Sequence, residues 1–291
     1  MCTYRATPYI RRMLSKPIEV PDSSPPEGAA EDWTIPQRWD QFTPAEHGVW
    51  DTLFARQQEM LEGRAIEQFR DSLNVLRLSR PGIPNFDELN EHLFAQTGWS
   101  VVAVPGLLPD AVFHHHLSHR RFPAGNFIRS PDKLGYLQEP DVFHDVFGHV
   151  PLLAIPEWAD FMQAMGERGL EALEHKAIHR LARLYWYTVE FGLVREAAGL
   201  RIYGAGIVSS FGESRYSLDS EDPNRIEFDL RRVLRTDYKI DDYQQTYFVI
   251  DRFRDLLDTV LEADLPALYA ELEGSAEFTP NQVIEGDRLV A

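Results

Sequence analysis

Asp141-Val-Phe-His144-Asp145-Val-Phe-Gly148-His149-Val-Pro151 sets two histidines and two carboxylates into an otherwise apolar run. Neutral imidazole is the commonest metal ligand, so the pair invites a metal reading. Its five-residue step places the second ring about 140° round an ideal α-helix from the first. The zinc-protease pair at i,i+4 lies on one face; this pair reaches one face only if Gly148 and Pro151 permit a helix end or a π-bulge. With 10 histidines in 291 residues, about a third of one such pair is expected by chance, so the pair alone decides nothing.

Working outward, Glu190 lies in Leu184-Tyr-Trp-Tyr-Thr-Val-Glu190-Phe-Gly-Leu193, where nearly every neighbour is apolar or aromatic. A carboxylate in such surroundings must be paired, metal-bound or protonated. Two histidines and one carboxylate match the facial triad of non-haem Fe(II) sites, which leaves coordination positions open for oxygen and substrate. Three other readings fit the same residues. Glu190 as a buried acid bonded to an arginine or tyrosine is one. A zinc hydrolase with His144 and His149 as ligands and Asp145 as base is another, weakened by the five-residue step and the short reach of aspartate. A non-catalytic module using the aromatics around Trp186 to recognise a small amino acid is the third.

Other histidine and glycine clusters carry less. His114-His115-His116, with His119, reads as a solvated loop, because three adjacent side chains do not converge on one ion. Tyr203-Gly-Ala-Gly206 lacks a following lysine and has Ser209 where a third glycine would complete a dinucleotide motif, so it reads as a bend or close backbone approach. No G-x-S-x-G elbow is present, and the single cysteine, Cys2, excludes an intrachain disulfide, an all-cysteine metal cage and a CxxC pair.

Composition narrows the class. The chain is 44% hydrophobic and 12% aromatic against 26% charged, enough to bury a core, and its length suits one large domain. Its 29 Lys+Arg against 46 Asp+Glu leave a net charge of −17, which repels nucleic acid and anionic membrane surfaces. No run approaches the length of a membrane span, and the first residues lack a secretory apolar segment, so a soluble cytoplasmic protein is expected.

Element signals point to a mainly α fold with a few short β-strands. Residues 1–35, rich in Pro, Glu and Ser from Lys16 onward, read as an extended or mobile arm, residues 36–275 as one catalytic domain and 276–291 as a tail. Thr43-Pro44-Ala45-Glu46 is a capping box with proline at the first helical position. Gly63 is a helix stop, and a third helix begins near Asn85. Helices are expected over 141–150, 157–173 and 176–193, strands over 99–104, 200–210 and 247–250, and one long helix after that.

The ordered motifs HDVFGHVPLL, LARLYWYTVEFGL and YGAGIVSSFGE together resemble the tetrahydropterin-dependent aromatic amino acid hydroxylases, bacterial members in particular. The resemblance runs from about Thr43 to Leu261. It implies one catalytic domain that hydroxylates L-phenylalanine to L-tyrosine, with Fe(II) on His144, His149 and Glu190, O2, and a tetrahydropterin as co-substrate. It implies a pterin site of Gly106, Leu107, Leu108, Phe113, Asp145 and Tyr185, where Phe113 stacks on the pterin. It also implies that Arg129 grips the amino acid carboxylate, assisted by Ser209. Pro140, Asp141, Trp186, Phe191, Gly206 and Ile240 would complete the substrate site. Asp145 and Leu137 replace a glutamate and a hydroxyl residue of the animal enzymes. Ile240 stands where tyrosine-specific members have aspartate, which favours phenylalanine over tyrosine and leaves tryptophan as the alternative substrate. The chain has no room for the regulatory domain or tetramerising helix of the animal members, so an unregulated monomer is expected.

Overall fold

In the computed structural model, which describes residues 24–135 and 139–290, Thr43 opens the first helix. Its side chain accepts from the Glu46 amide while the Glu46 carboxylate accepts from Thr43 N–H, the reciprocal box that the sequence announces. Helix α1 (Pro44–Met60) buries Val49, Trp50, Leu53 and Phe54, and the chain turns at Gly63, φ 66°. Helix α2 (Glu67–Val75) follows, then α3 (Phe86–Thr97), whose cap Asn85 accepts from the amides of Asp87 and Glu88. Strand β1 (Ser100–Val104) pairs in parallel with β2 (Arg121–Gly125), and α4 (Asp110–Ser118) crosses between them.

Helix α5 (Pro156–Glu174) backs α4, and α6 (Ile178–Tyr185) leads into the second half. There β3 (Leu193–Glu196), β4 (Gly199–Ile202), β5 (Asn224–Glu227) and β6 (Thr246–Ile250) build a sheet in the order β4-β3-β6-β5, with helix α7 (Phe211–Asp219) between β4 and β5 in the chain. Only β3 and β4 are antiparallel. Helices α8 (Phe253–Glu262) and α9 (Leu265–Leu272) close the core.

The helix-rich, strand-poor class agrees with the sequence reading, and several segments differ from it. The expected 176–193 helix gives way to strand at Leu193. The expected 200–210 strand stops at Ile202, and Ala205–Val208 is a helical turn instead. The expected final long helix is two, because Pro266 lacks the amide that continuation needs and Asp264 caps a new start. The triple histidine lies on α4 rather than in a loop, with His114 and His116 buried.

Both expected termini are tied down where they are described. Asp32 pairs with Arg121 at 2.8 Å and its carbonyl accepts from His116 Nε2, while Ile35 N–H donates to Ala103. The 276–291 tail exchanges backbone hydrogen bonds with residues 225–237 and buries the Arg232–Asp287 pair at 2.9 Å. Residues 1–23 of the arm, Cys2 among them, and Leu137 lie outside the described residues.

Glu213 stands three residues after the α7 cap Ser210, yet its side chain turns inward instead of closing a box. It accepts from the Gln244 amide at 3.1 Å and from the Tyr247 hydroxyl. Burial pushes its carboxyl up to about 7 against those two donors. A folded-state value above the unfolded one makes the folded chain hold the extra proton, so the stability it carries is complete below pH 4.5 and lost as pH rises through 7. Relative to Glu213→Gln, the wild-type unfolding free energy should fall by about 3 kcal/mol over that window. Parallel denaturant titrations check this, and a pH-independent difference would remove Glu213 as the linked group.

Candidate active site

The five-residue histidine step is resolved by the backbone itself. Phe143–His149 is wound as a π-helix, whose i to i+5 hydrogen bonds bring residues five apart back to one face. Phe143 and Phe147 leave on the other side and stack at 4.8 Å and 11°, with Trp50 and Phe54 edge-on to them. The apolar members of the motif therefore anchor it in the core while His144 and His149 face inward to the site. A second π-helical segment, Trp186–Glu190, ends α6 and delivers Glu190 opposite them.

The Nε2 atoms of His144 and His149 lie 3.3 Å apart. Glu190 Oε1 is 3.2 Å from His149 Nε2, and its Oε2 is 3.6 Å from His144 Nε2. Edges of this size suit one ion at bond lengths of about 2.0–2.2 Å with ligands on one side of it. Burial holds the His144 imidazole near 4, so it is neutral and offers a lone pair. Burial opposes ionisation of Glu190, but His149, His144 and the Gly206 amide outweigh it and keep the carboxyl below its ordinary value. The three side chains together form a candidate ligand set for one metal ion.

Backing residues fix the ligands. The Ser209 hydroxyl donates to Ala205 O at 2.7 Å, so it accepts from His144 Nδ1 at 2.9 Å. That leaves the Nε2 lone pair directed at the site. Phe122 packs on the His149 ring at 4.8 Å. Gly204 and Gly206 are the close approach expected of the glycine pair: a Cβ at Gly204 would sit 2.4 Å from the Glu190 carbonyl oxygen, and one at Gly206 would meet the Phe191 ring at 2.8 Å.

The open face of the triad gives onto a cavity of about 120 Å³ lined by Gly106, Leu107, Leu108, Phe113, Pro140, Asp145 and Tyr185 beside the three ligands. Every residue expected at the pterin thus falls on one wall system. Phe113 meets Tyr185 edge-on at 5.6 Å. Burial raises the Asp145 carboxyl to about 7 even though its Oδ2 accepts from Gly125 N–H at 2.7 Å.

On the far side of the first π segment, Arg129 is held by Asp141, which is fully buried. Asp141 takes the Nε edge at 2.7 Å and Nη2 at 2.8 Å, and it also accepts from the Arg129 and His144 amides. The guanidinium side edge is therefore occupied, and its Nη1/Nη2 end is the part left for a carboxylate. Trp186 leans on Phe191 at 4.7 Å and stacks on Tyr238 at 4.4 Å. Ile240 is the expected site residue that is not brought in: it is 79% exposed, on the outside of the loop that carries Tyr238. Phe122, Gly125, Tyr238 and Gln244 were not expected there. Their contacts cross between elements far apart in sequence, and no local pattern signals them.

A family model for biopterin-dependent aromatic amino acid hydroxylases matches residues 34–263. The phenylalanine-4-hydroxylase of Caulobacter vibrioides is 56% identical over 268 residues, covering 92% of this chain and 91% of that protein. The phenylalanine-4-hydroxylase of Ralstonia nicotianae is 55% identical over 259 residues, covering 89% and 82%. The crystal structure of Chromobacterium violaceum phenylalanine hydroxylase with bound oxidised Fe(III) superposes with a TM-score of 0.87 at 49% identity, covering 90% of this chain and 94% of that one. The iron- and phenylalanine-bound structure from the same organism gives 0.86 at 45% identity, covering 97% and 99%. With the matched residues spanning the whole site, including both π-helical segments, this chain belongs to the biopterin-dependent aromatic amino acid hydroxylase family.

Proposed function

We propose that this chain is a phenylalanine 4-monooxygenase, which turns L-phenylalanine, O2 and a tetrahydropterin into L-tyrosine and a hydroxypterin. The observation that carries the reading is the His144, His149 and Glu190 set opening onto the cavity walled by Phe113 and residues 106–108. When bound, Fe(II) and the pterin supply oxygen activation and the two reducing electrons. The chain supplies binding and position. Phe113 offers a ring face to the pterin, with Tyr185 edge-on behind it. The free end of Arg129 orients the amino acid carboxylate, while Pro140, Trp186 and Phe191 hold the aromatic ring and keep water from it. The zinc-hydrolase reading is disfavoured by the match to biopterin-dependent aromatic amino acid hydroxylases over residues 34–263 and by phenylalanine-4-hydroxylase relatives at 55–56% identity.

The test is tyrosine formation by the Fe(II)-loaded chain given phenylalanine, O2 and a tetrahydropterin, beside a control without the pterin. Pterin-dependent tyrosine is the expected result. Iron bound without tyrosine, but with hydroxylated tryptophan when that substrate is offered, would move the assignment to tryptophan. The reading also places the protein in the cytoplasm as a monomer, supported by its single cysteine and its charge of −17. Among the described residues no helix is long and apolar enough to cross a membrane.

Arg129→Lys keeps the charge and loses the planar fork that both Asp141 and a carboxylate need. The KM for phenylalanine should rise about tenfold or more, while iron content stays within experimental error. An unchanged KM would separate Arg129 from the substrate carboxylate.

A further inference from the structure

Gln244 is buried, 3% exposed, at the end of the loop that begins at Tyr238, and its side-chain hydrogen bonds go to Trp186, Lys239 and Asp242 rather than to the metal ligands. Its side chain is nonetheless fully committed. The Oε1 accepts from the Trp186 indole N–H at 2.8 Å, and the amide nitrogen donates to Lys239 O at 2.9 Å and Asp242 O at 3.3 Å. The orientation of the amide is determined by its partners, since a flipped group would set N–H against N–H and oxygen against two carbonyls. Its own backbone N–H is held by Glu213, which also takes the Tyr247 hydroxyl from the buried strand β6. One side chain thus ties loop 238–244 into a closed turn and fastens the indole to it.

What is fastened lies in the segment between a cavity residue, Tyr185, and the ligand Glu190. Trp186 is the first residue of the π-helical segment that ends in Glu190, it follows Tyr185 of the cavity, and it lies between Tyr238 and Phe191. An indole stacked on one ring and tilted on another can still slide in its plane, because stacking is weakly directional; a hydrogen bond at its edge stops that slide. We propose that Gln244 is a positioning residue for substrate specificity, which sets the plane and depth of Trp186 and thereby the shape of the slot that admits the aromatic ring of the amino acid. The proposal rests on the reading that Trp186 borders the substrate ring. On this proposal the loop acts on the ring slot through the amide clamp and the stacked Tyr238, both of which touch Trp186.

The clamp and the indole act as one unit, so their effects on catalysis must be non-additive. Three proteins test this, each as the iron-loaded full chain: Gln244→Leu, Trp186→Phe and the double variant. Measured for each are kcat and KM for phenylalanine and for tryptophan, tyrosine formed per tetrahydropterin consumed, iron content and Tm. Trp186→Phe keeps an aromatic wall and leaves the loop bonds of Gln244 in place, so it removes the indole bond without unmaking the turn.

Gln244→Leu should raise the KM for phenylalanine about tenfold, the size expected for loss of one specific polar constraint in a ring pocket. It should also lower the phenylalanine-to-tryptophan ratio of kcat/KM and the tyrosine yield per pterin, with iron content unchanged. The double variant should be no worse than the poorer single one. A Gln244→Leu protein that loses Tm but keeps KM, ratio and yield would show a purely structural clamp and overturn the proposal. So would an additive double variant. If Trp186→Phe alone leaves KM and ratio untouched, the placement of the substrate ring fails and the proposal with it; if Trp186→Phe shifts them and Gln244→Leu does not, the proposal alone fails.

Discussion

Glu190→Gln is expected to strip iron from the protein and abolish tyrosine formation. The amide is the same size, and its oxygen can still accept from the Gly206 amide, so the local fold should persist. What goes is the one formal negative charge among three ligands, the other two being histidines, of which burial keeps His144 neutral. Against a doubly charged ion in a buried site that charge is the dominant attraction. Loss of a residue that merely orients a ligand costs about 10–100-fold in metal affinity, so loss of the ligand charge should exceed about 100-fold. Equilibrium dialysis against a weak chelator, with iron counted per chain, measures it. A variant that retains stoichiometric iron and activity would take Glu190 out of the ligand set.

Gly166→Ala should be strongly destabilising for a change of one methyl group. Helices α4 and α5 cross so closely that a Cβ at Gly166 would stand 2.2 Å from the Ser118 amide nitrogen and 2.7 Å from the Leu117 carbonyl carbon. Those are backbone atoms, so no side-chain rotation relieves the clash and the helices must part. Overpacking of a core costs about 1–3 kcal/mol and more where backbone must move; here about 3 kcal/mol or above is expected, lowering Tm by roughly 5–10 °C. Because α4 carries Phe113, parting the helices should also weaken pterin binding. Gly48→Ala is the matched control. It lies on the exposed side of α1 with nothing near its added methyl, and it should gain about 0.5–1 kcal/mol from helix propensity. Equal Tm for the Gly166 variant and wild type would show that the helix crossing is looser than described.

The legible part of this protein was carried by signals that are local and chemical. Thr43 with Glu46 and Asn85 with the amides after it are caps whose donors and acceptors lie within three residues. Glu190 in an apolar run declared itself because a buried charge demands a partner. The glycines at 204 and 206 read correctly as a close approach, although nothing local said that the backbone they approach belongs to Glu190.

The misread segments share a cause. The stretch after Ile202 is β-branched enough to be a strand, but it must bend over Glu190 to bring Ser209 beneath His144, and tertiary placement overrides propensity. The histidines of α4 read as solvated because polarity alone says so, whereas His114 packs against Gly169 of α5 and His116 is buried with its Nε2 on the Asp32 carbonyl. Ile240, expected at the substrate site, is 79% exposed in the loop that carries Tyr238.

By itself, then, the sequence determined the caps that start the helices and the helix-rich class, because each depends on residue type and short spacing, and it supplied His144, His149 and Glu190 as candidate metal ligands. Only the tertiary structure decided that the backbone would pass through two π-helical segments. That winding brings His144, His149 and Glu190 to one point, while Phe143 and Phe147 of the first segment pack against Trp50 and Phe54 in the core. Which wall each aromatic residue would form was likewise decided by contacts between distant elements, since a side chain's direction is set by what packs against it and not by its neighbours in the chain.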